Sequence, residues 1–330
     1  MMTAMALTYD VPLSSLLEGF ASVSPEFDLE ITGITIDSRK IKTGDLFFAC
    51  HCKYSNSIQF IKEAISAGAC AIVAESDCLP EDADYNIPLF SVADLHSKIG
   101  IIAARFYGQP SRDMTVIGVT GTDGKTSVSY LLAQALSTGQ KHTAGFIGTL
   151  GYGSVDNLEP GPNTTPDPIT LQRLLADMKD QGISTVVMEV SSHGLDQYRV
   201  VGVDFDLAIF TNLGRDHLDY HNDIEDYSNT KQSFFTEYSI GKVVINLDDD
   251  VGGLILNKLG NNIQAVTYTI VNDLNLHLDT SFQTVAGKMD INPSGKMILE
   301  LKTPWGEGYL ETNFVGKFNA YNLMACLTSL

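Results

Sequence analysis

The second half of the chain contains short apolar runs that predict a parallel β-sheet. These runs occupy residues 114–120, 185–190, 207–213 and 242–248. Continuous rather than alternating apolar character is typical of strands that are covered on both faces. After the first run, residues 125–139 have helical spacing and end at a glycine, as expected for a helix that follows a parallel strand.

The first part of the chain mixes short strands and helices. The predicted elements are strands at 30–37, 45–49 and 70–75 and a helix at 56–68. Glycine, proline and serine come together at 106–114, which is typical of a junction between domains. We therefore predict an N-terminal domain at 1–112 and a central domain at 113–330.

Residues 263–315 alternate between polar and apolar side chains, with a turn predicted at 292–295. This alternation is typical of antiparallel strands with one exposed face. The last residues, 319–330, begin a helix. The predicted fold class is α/β: a small N-terminal α/β domain, followed by a P-loop-type domain with a mostly parallel sheet and an antiparallel appendage.

The charge balance excludes some functions. Asp and Glu number 40 against 21 Lys and Arg, which gives a formal net charge of −19. General nucleic-acid binding and binding to anionic membranes both need a basic face, so neither is expected. The sequence has no basic leader, no apolar run of about 18 residues, and five scattered cysteines. We therefore expect a cytoplasmic protein with reduced thiols.

Residues 118–127, GVTGTDGKTS, predict a loop that binds phosphate. The strict pattern places two glycines five residues apart before Lys-Ser/Thr, and here Val119 replaces the first of them. The mechanical features remain, because a strand leads into a glycine-rich turn whose amides and helix N-terminus can face an anion. Lys125 would reach the outer phosphates of ATP, and the Thr126 hydroxyl would ligate Mg²⁺. The predicted nucleotide-binding residues of this loop are Gly121, Thr122, Asp123, Gly124, Lys125, Thr126 and Ser127. An ordinary strand–turn–helix with a chance Gly-Lys-Thr is the alternative.

Asp123 is unexpected in a loop that binds phosphate. A carboxylate at the start of a helix can cap free N–H groups and is favoured by the helix dipole. Alternatively, it repels phosphate and marks a site that has lost its function. We prefer the cap, because Mg²⁺ would offset the additional negative charge.

Six motifs stand in the order found in Mur ligases, and the sequence resembles that family over nearly its whole length. The motifs are GVTGTDGKTS (118–127), NTTPDP (163–168), MEVSSHGLDQYRV (188–200), TNLGRDHLDYH (211–221), YSNTKQSFF (227–235) and GKFNAYNLMA (316–325). The stretch TIDSRKIKTGDLFFA (35–49) also resembles the uridine-binding N-terminal domain of these ligases. The resemblance is greatest to the members that add the third peptide residue to the peptidoglycan precursor.

The resemblance implies an ATP-dependent ligase. In this family ATP phosphorylates the D-Glu carboxylate of UDP-MurNAc-L-Ala-D-Glu, and the amine of a diamino acid, diaminopimelate or lysine, then attacks the acyl phosphate. The phosphoryl group turns a poor leaving oxygen into a good one, so catalysis rests on positioning and charge neutralisation. The expected partners are therefore UDP-MurNAc-dipeptide and a diamino acid.

The resemblance also implies two Mg²⁺ ions, with Lys125, Glu189, His217 and Lys231 as catalytic residues. Glu189 would share one ion with Thr126, which agrees with the cost of an unpaired carboxylate on a buried strand; a cap on a neighbouring loop is the alternative. His217 would ligate the second ion, whereas His221 is expected to be structural. Lys231 would be carbamylated by CO₂ near that ion, which requires a neutral amine and a lowered pKa. Without the resemblance, Lys231 would be interpreted as a solvated helix lysine.

Further positions resemble substrate contacts of the family. Ser38 corresponds to a uridine contact, and Asn319, with Asn322 second to it, to an adenine contact; an N-cap is the alternative for Asn319. The residues that would hold the diphosphate and the muramoyl peptide are Thr164, Thr165, Ser191 and Arg199. Hydroxyl groups and an arginine suit phosphate oxygens.

Two departures from the family pattern affect these expectations. Residues 51–60 lack the Gly and Asp-Gly that usually follow this strand, which leaves the details of uridine binding open. The C-terminal domain that recognises the amino acid in these ligases has no counterpart in the sequence. We therefore expect a fragment that does not complete ligation alone. Its sequence does not specify which amino acid is added.

Three other functions are compatible with parts of this pattern. A folylpolyglutamate-type ligase shares the glycine-rich ATP loop but lacks a uridine domain. A non-catalytic protein that binds UDP-sugar-peptide and ATP would not need Lys125, Glu189, His217 and Lys231 together. A generic P-loop kinase is the third alternative.

Overall fold

The computed structural model describes residues 9–50, 57–76, 85–137, 143–216, 220–260, 262–275 and 281–330. The helices are α1 (Leu13–Leu17), α2 (Ser57–Ala67), α3 (Leu95–Phe106), α4 (Lys125–Leu136), α5 (Pro168–Asp180), α6 (Ser192–Asp196), α7 (Ile224–Glu237), α8 (Asp250–Lys258) and α9 (Lys317–Ser329). The first ten strands are β1 (Val11–Pro12), β2 (Glu30–Ile31), β3 (Gly33–Thr35), β4 (Asp45–Ala49), β5 (Ala71–Glu75), β6 (Leu89–Val92), β7 (Thr115–Thr120), β8 (Gly145–Gly148), β9 (Gly151–Ser154) and β10 (Asn157–Glu159). The others are β11 (Thr185–Glu189), β12 (Phe205–Phe210), β13 (Ile240–Asn246), β14 (Gln264–Ile270), β15 (Gln283–Ile291), β16 (Met297–Thr303) and β17 (Gly306–Thr312).

The chain forms two compact units. Unit 1 contains Met1–Pro110, Asp167–Ala176 and Gln197–Val203, and unit 2 contains Ser111–Pro166, Asp177–Asp196 and Asp204–Leu330. Two segments from the second half of the chain thus belong to unit 1, a feature that a single division near residue 112 does not include.

Unit 1 is built on a four-stranded parallel sheet in the order β3-β4-β5-β6. Leu46 and Phe48 of β4 pack into the cluster that contains α1 and α3, whereas Phe47 and Ala49 pack into the cluster that contains α2. Both faces of this strand are therefore buried, which explains its continuous apolar sequence.

The single strand predicted at 30–37 is wrong. The segment forms two short strands in different sheets: β2 pairs antiparallel with β1, and β3 pairs parallel with β4. Thr32 lies between them, and its backbone N–H donates to the Gly44 carbonyl at 3.1 Å. The change of sheet occurs within one residue, so the apolar pattern gives no sign of it.

Unit 2 contains one eleven-stranded sheet in the order β10-β9-β8-β11-β7-β12-β13-β14-β15-β16-β17. The strands from β8 to β15 in this order are parallel, and antiparallel strands flank them on both sides. The predicted α/β class with a mostly parallel sheet is confirmed. The antiparallel assignment of 263–315 is wrong for β14, which pairs parallel with both β13 and β15. Helix α8 connects β13 to β14, and such a crossover is what parallel neighbours need.

Helices cover the two faces of this sheet. Val128 and Leu132 of α4 and Met324 of α9 join a buried cluster with the central strands. The strand members of this cluster are Ile117, Val119, Val187, Ile209, Val244, Tyr268 and Val285. Helix α7 contacts β12, with the rings of Phe234 and Phe205 4.9 Å apart. The helices of the described residues include none that is long and apolar enough to cross a bilayer.

The parallel order brings several chain reversals to one edge of unit 2. The carboxyl ends of β8, β11, β7 and β12 lie side by side, because these strands are neighbours and run in the same direction. Ligands of open α/β sheets bind at this edge. The predicted phosphate loop follows β7, Glu189 is the last residue of β11, and Ser191 follows it.

Candidate active site at the carboxyl edge of the sheet

The predicted phosphate loop, residues 121–124, connects β7 to α4. Helix α4 begins at Lys125, with Gly124 as its N-cap residue and without a side-chain cap hydrogen bond. The predicted capping role of Asp123 is therefore wrong, and the Asp123 side chain is exposed. Ser127 is also exposed, in the first turn of the helix. The amides of that turn have no partners within the helix, as at every helix N-terminus.

A second loop, residues 211–214 after β12, holds the phosphate loop in place. Thr122 N donates to the Asn212 carbonyl at 2.8 Å, and Asp123 N donates to Asn212 Oδ1 at 3.0 Å. Thr211 Oγ1 donates to the Asp123 carbonyl at 2.7 Å, and Gly214 N donates to Thr122 Oγ1 at 2.8 Å. The motif TNLGRDH contains these residues, but sequence reasoning considered only its histidine. Two amides of the phosphate loop are thus already paired.

Two lysines donate to the same backbone carbonyl in the phosphate loop. Lys125 Nζ and Lys231 Nζ each lie 2.9 Å from Gly121 O. The two nitrogens are therefore less than about 6 Å apart. Lys125 Nζ also donates to the Thr122 carbonyl at 2.8 Å. The side chain of Lys231 is only 1 % exposed. Burial first, and then the charge of Lys125, lowers the pKa of Lys231 well below its usual value, against an opposing effect of Asp216. Lys231 is therefore not a solvated helix lysine.

Glu189 lies at the end of β11 and is 1 % exposed. Thr126 Oγ1 donates to its Oε2 at 2.9 Å, Thr149 N to its Oε1 at 2.7 Å, and Thr149 Oγ1 to its Oε2 at 3.3 Å. The structure thus brings Glu189 and Thr126 together. Thr149, which follows β8, was missed because a lone threonine in a glycine-rich turn carries no recognisable signal.

The hydroxyl-bearing residues predicted to bind substrate lie next to Glu189. Thr165 Oγ1 donates to the Glu189 carbonyl at 2.8 Å and accepts from Ser191 N at 3.0 Å. The hydroxyls of Thr164 and Thr149 share a hydrogen bond of 3.0 Å. Thr164, Thr165 and Ser191 therefore belong to one polar region of unit 2.

Ser38 belongs to unit 1, where it borders a cavity of about 620 Å³. The cavity is lined by residues that include Ile36, Ser38, Phe47, Cys50, Phe60 and His96. The Ser38 hydroxyl donates to Glu63 Oε2 at 3.3 Å. A largely apolar cavity of this size with a few polar groups is typical of a small-molecule site.

Arg199 also lies in unit 1, in the segment Gln197–Val203. Its guanidinium donates twice to Gln197 Oε1, through Nε at 3.1 Å and through an Nη at 2.6 Å. Gln197 therefore orients the guanidinium, a role that the sequence motif did not suggest.

The two asparagines of the last motif differ in position. Asn319 Nδ2 donates to the Val315 carbonyl at 2.8 Å, and α9 begins at Lys317 after Gly316, so the alternative N-cap role of Asn319 is wrong. Asn322 is buried, and its Oδ1 faces Gly124 of the phosphate loop. Asn322 thus lies beside the predicted phosphate loop.

His217 lies outside the described residues, as do residues 51–56 of the divergent stretch and Gly139. His221 is buried among aromatic rings. The centroid of its ring lies 5.1 Å from that of Tyr227 and 6.0 Å from that of His193.

No cluster of three or more His, Cys, Asp and Glu side chains that could hold a metal occurs in the described part of the chain. The predicted ligands of the first ion, Thr126 and Glu189, do not form such a cluster and are hydrogen-bonded to each other. Thr120 Oγ1, on the last residue of β7, is buried and has no hydrogen-bond partner in the described structure.

The fold and this site define a known family. Residues 119–330 match the model of the Mur ligase middle domain, and residues 30–107 match that of the Mur ligase family catalytic domain. The chain belongs to the Mur ligase family, as the motifs predicted.

Individual relatives refine the comparison. The UDP-N-acetylmuramoyl-L-alanyl-D-glutamate–2,6-diaminopimelate ligase of Chromobacterium violaceum is 41% identical over 321 residues, which cover 96% of this chain and 63% of the relative. A solved structure of a ligase with the same name has a TM-score of 0.83 at 30% identity and covers 97% of this chain and 63% of its own. A MurF ligase from Thermotoga maritima in complex with ADP shares the fold, with a TM-score of 0.58 at 20% identity over 89% of this chain and 61% of its own. The chain thus spans about 63% of the length of the curated relative.

Proposed function

We propose that this chain provides the ATP site and the UDP-substrate site of a ligase that adds 2,6-diaminopimelate to UDP-MurNAc-L-Ala-D-Glu. The names of its relatives and the polar edge of unit 2 support this function. The reaction needs ATP, and we place it in the cytoplasm, where ATP is available.

The observation that carries the proposal is the pair of lysines on the Gly121 carbonyl. Two ammonium groups less than about 6 Å apart repel each other by about 3 kcal/mol or more at an effective dielectric constant of about 20. Packing does not require this arrangement, since an apolar side chain would fill the buried position of Lys231 without the charge. A carbamate on Lys231 would turn the repulsion into attraction, because it replaces a cation by an anion next to Lys125.

The buried, neutral amine that carbamylation requires is therefore favoured at Lys231. In the reaction with CO₂, the amine nitrogen forms a bond to carbon and releases one proton. The carbamate oxygens would then be available to the second Mg²⁺, together with His217. Thr120 Oγ1, which has no partner in the described structure, is a polar group at the same end of β7.

ATP would bind with its phosphates against the first turn of α4. The amides of Thr122 and Asp123 are paired with residue 212, so the amides from Gly124 to Ser127 are the donors for phosphate oxygens. Lys125 would exchange its two carbonyl partners for the outer phosphates. Asn319 is proposed to contact the adenine.

Thr126 and Glu189 fit a Mg²⁺ ion, since both present hard oxygen atoms. When bound, Mg²⁺ neutralises charge on the phosphates during transfer. Thr149 keeps Glu189 in place through two hydrogen bonds.

The UDP-linked substrate has a uridine, a diphosphate and a muramoyl-peptide part. Ser38 and the cavity of unit 1 are proposed for the uridine, and Arg199, oriented by Gln197, for the diphosphate. Thr164, Thr165 and Ser191 would hold the peptide end near the phosphate loop. The D-Glu carboxylate then attacks the γ-phosphorus with release of ADP, and the diaminopimelate nitrogen displaces phosphate with loss of a proton.

Carbamylation is tested by ¹³C NMR of the chain in ¹³C-bicarbonate. A carbamate signal is expected, and Lys231→Ala should abolish it, whereas Lys179→Ala should not, because Lys179 is partly exposed and forms an ion pair with Asp113. In the whole gene product, short carboxylic acids should restore ligase activity to Lys231→Ala. A parent spectrum without a carbamate signal would refute this part.

Ligation is tested with the whole gene product. ADP release should require UDP-MurNAc-L-Ala-D-Glu together with 2,6-diaminopimelate, and lysine should not replace the latter. ADP release with folate substrates instead, or none with any pair, would contradict the proposed function.

A further inference from the structure

A buried tyrosine connects the phosphate loop to the helix that carries Lys231. Tyr227 of α7 is 0 % exposed, and its hydroxyl shares a hydrogen bond of 3.0 Å with Thr122 Oγ1. Thr122 Oγ1 also accepts from Gly214 N at 2.8 Å. One threonine hydroxyl therefore joins the phosphate loop to the 211–214 loop and to α7, both of which lie about a hundred residues further along the chain.

The ring of Tyr227 has a second contact on the same helix. Lys231 follows Tyr227 by one turn, and its Nζ lies 4.6 Å from the centre of the Tyr227 ring. Residues four apart on a helix face each other, so one side chain borders both the loop and the amine. Burial raises the pKa of Tyr227 to about 12, so the hydroxyl keeps its proton at neutral pH.

Packing alone does not account for the hydroxyl group. A phenylalanine would fill the same buried volume, and a buried hydroxyl is costly unless it is hydrogen-bonded. The bond to Thr122 links two neutral groups, so it does not depend on the charge of Lys231. It can hold the loop whether Lys231 carries an amine or a carbamate.

We propose that Tyr227 is a positioning residue whose hydroxyl fixes the phosphate loop in the conformation that receives the nucleotide. Thr122 is the point of attachment, because its amide and its hydroxyl are both held by neighbouring elements. Without the Tyr227 hydroxyl, the loop samples more conformations, and the nucleotide must order it on binding. This inference rests on the proposed ATP site, but the order of the loop can be measured without a nucleotide.

The test compares Tyr227→Phe with the parent chain in two measurements. In the absence of nucleotide, hydrogen exchange of the Thr122 amide is expected to accelerate about three- to tenfold, the equivalent of one net hydrogen bond. In calorimetric titrations with magnesium and a non-hydrolysable ATP analogue, the dissociation constant should rise by a similar factor. The ¹³C carbamate signal should remain, because the ring next to Lys231 is unchanged.

Two further variants separate this role from general stability. Tyr130→Phe on α4 removes the same atom from a residue that packs against Phe146, and neither measurement should change. Thr122→Val should weaken binding, and adding Tyr227→Phe to it should have no further effect, because the two groups form one interaction.

An exchange rate of Thr122 in Tyr227→Phe within twofold of that in Tyr130→Phe would overturn the inference, as would additive effects with Thr122→Val. Loss of the carbamate signal in Tyr227→Phe would also overturn it, since the hydroxyl would then act on α7 instead of the loop. If the parent chain does not bind the ATP analogue but Tyr227→Phe still accelerates exchange of the Thr122 amide, the proposed ATP site is wrong. The role of Tyr227 in ordering the loop is then still supported.

Discussion

Replacing Gly121 by alanine should damage the phosphate loop in two separable ways. Gly121 has a φ of +146°, a conformation that is nearly restricted to glycine. A Cβ at this position would also lie within 3.0 Å of Thr211 Oγ1 and at 3.0 Å from the backbone N and O of Asn212. The first effect is backbone strain, and the second is a collision with the loop that holds Asp123.

Gly306 provides a matched control. It has the same φ of +146°, and a Cβ built there has no atom within 4 Å. Gly306→Ala therefore measures the backbone strain alone, which we expect to be about 1–3 kcal/mol. Gly121→Ala should cost roughly another 1–3 kcal/mol, the typical cost of overpacking, because the nearest atom, Thr211 Oγ1, would have to give up its bond to the Asp123 carbonyl.

The assay is urea unfolding of the two variants and the parent, combined with titration of the magnesium–ATP analogue. The free energy of unfolding in urea should be roughly 1–3 kcal/mol lower for Gly121→Ala than for Gly306→Ala. Nucleotide affinity should fall in Gly121→Ala and remain at the parent value in Gly306→Ala. Equal free energies of unfolding within about 0.5 kcal/mol, with equal affinities, would refute the reasoning.

Three other substitutions test the charges of the site. Lys231 has a lowered pKa in the folded chain, so the unfolded chain binds more protons and the free energy of unfolding should rise with pH up to the usual lysine pKa. In urea unfolding without CO₂, Lys231→Met should remove this rise. At neutral pH this variant should be at least as stable as the parent chain. In Glu189→Gln the amide oxygen can still accept from Thr149 N, and the amide nitrogen can donate to the hydroxyls of Thr126 and Thr149. The melting temperature should therefore change by only a few degrees, whereas magnesium should no longer strengthen nucleotide binding. Asp123→Asn should keep the free energy of unfolding within about 0.5 kcal/mol of that of the parent, because the exposed side chain is not a cap. The same substitution removes a negative charge and should raise nucleotide affinity about fivefold at low salt.

Each of these has a clear contrary result. If the free energy of unfolding of Lys231→Met still rises with pH, a group other than Lys231 causes the rise. Magnesium-dependent binding in Glu189→Gln would exclude that carboxylate as a ligand. A marked loss of stability in Asp123→Asn would mean that the carboxylate does support the helix.

Local sequence pattern was sufficient for most of the strands. The apolar runs at 45–49 and 114–120 correspond to β4 and β7 because each is buried on both faces, which leaves a continuous signal. The same reasoning was wrong at 30–37, where one run divides between two sheets. It was also wrong at β14, which has an alternating sequence but pairs parallel with the strand on each side. Pairing direction depends on the connection between strands, and the pattern within a strand does not contain it.

The amino-acid sequence by itself determined the α/β class, the position of the glycine-rich loop between β7 and α4, and the family, because these depend on residue types at short spacing. The tertiary structure decided what surrounds each group. Lys231 is unremarkable by local pattern, and its burial beside Lys125 follows only when α7 packs against the loop. Thr149, Asn212 and Tyr227 reach the site from distant segments, and only the order of the parallel strands brings their ends together. Charge and hydrogen bonding act over a few ångströms in space, so their effects become visible once the sheet has set those distances.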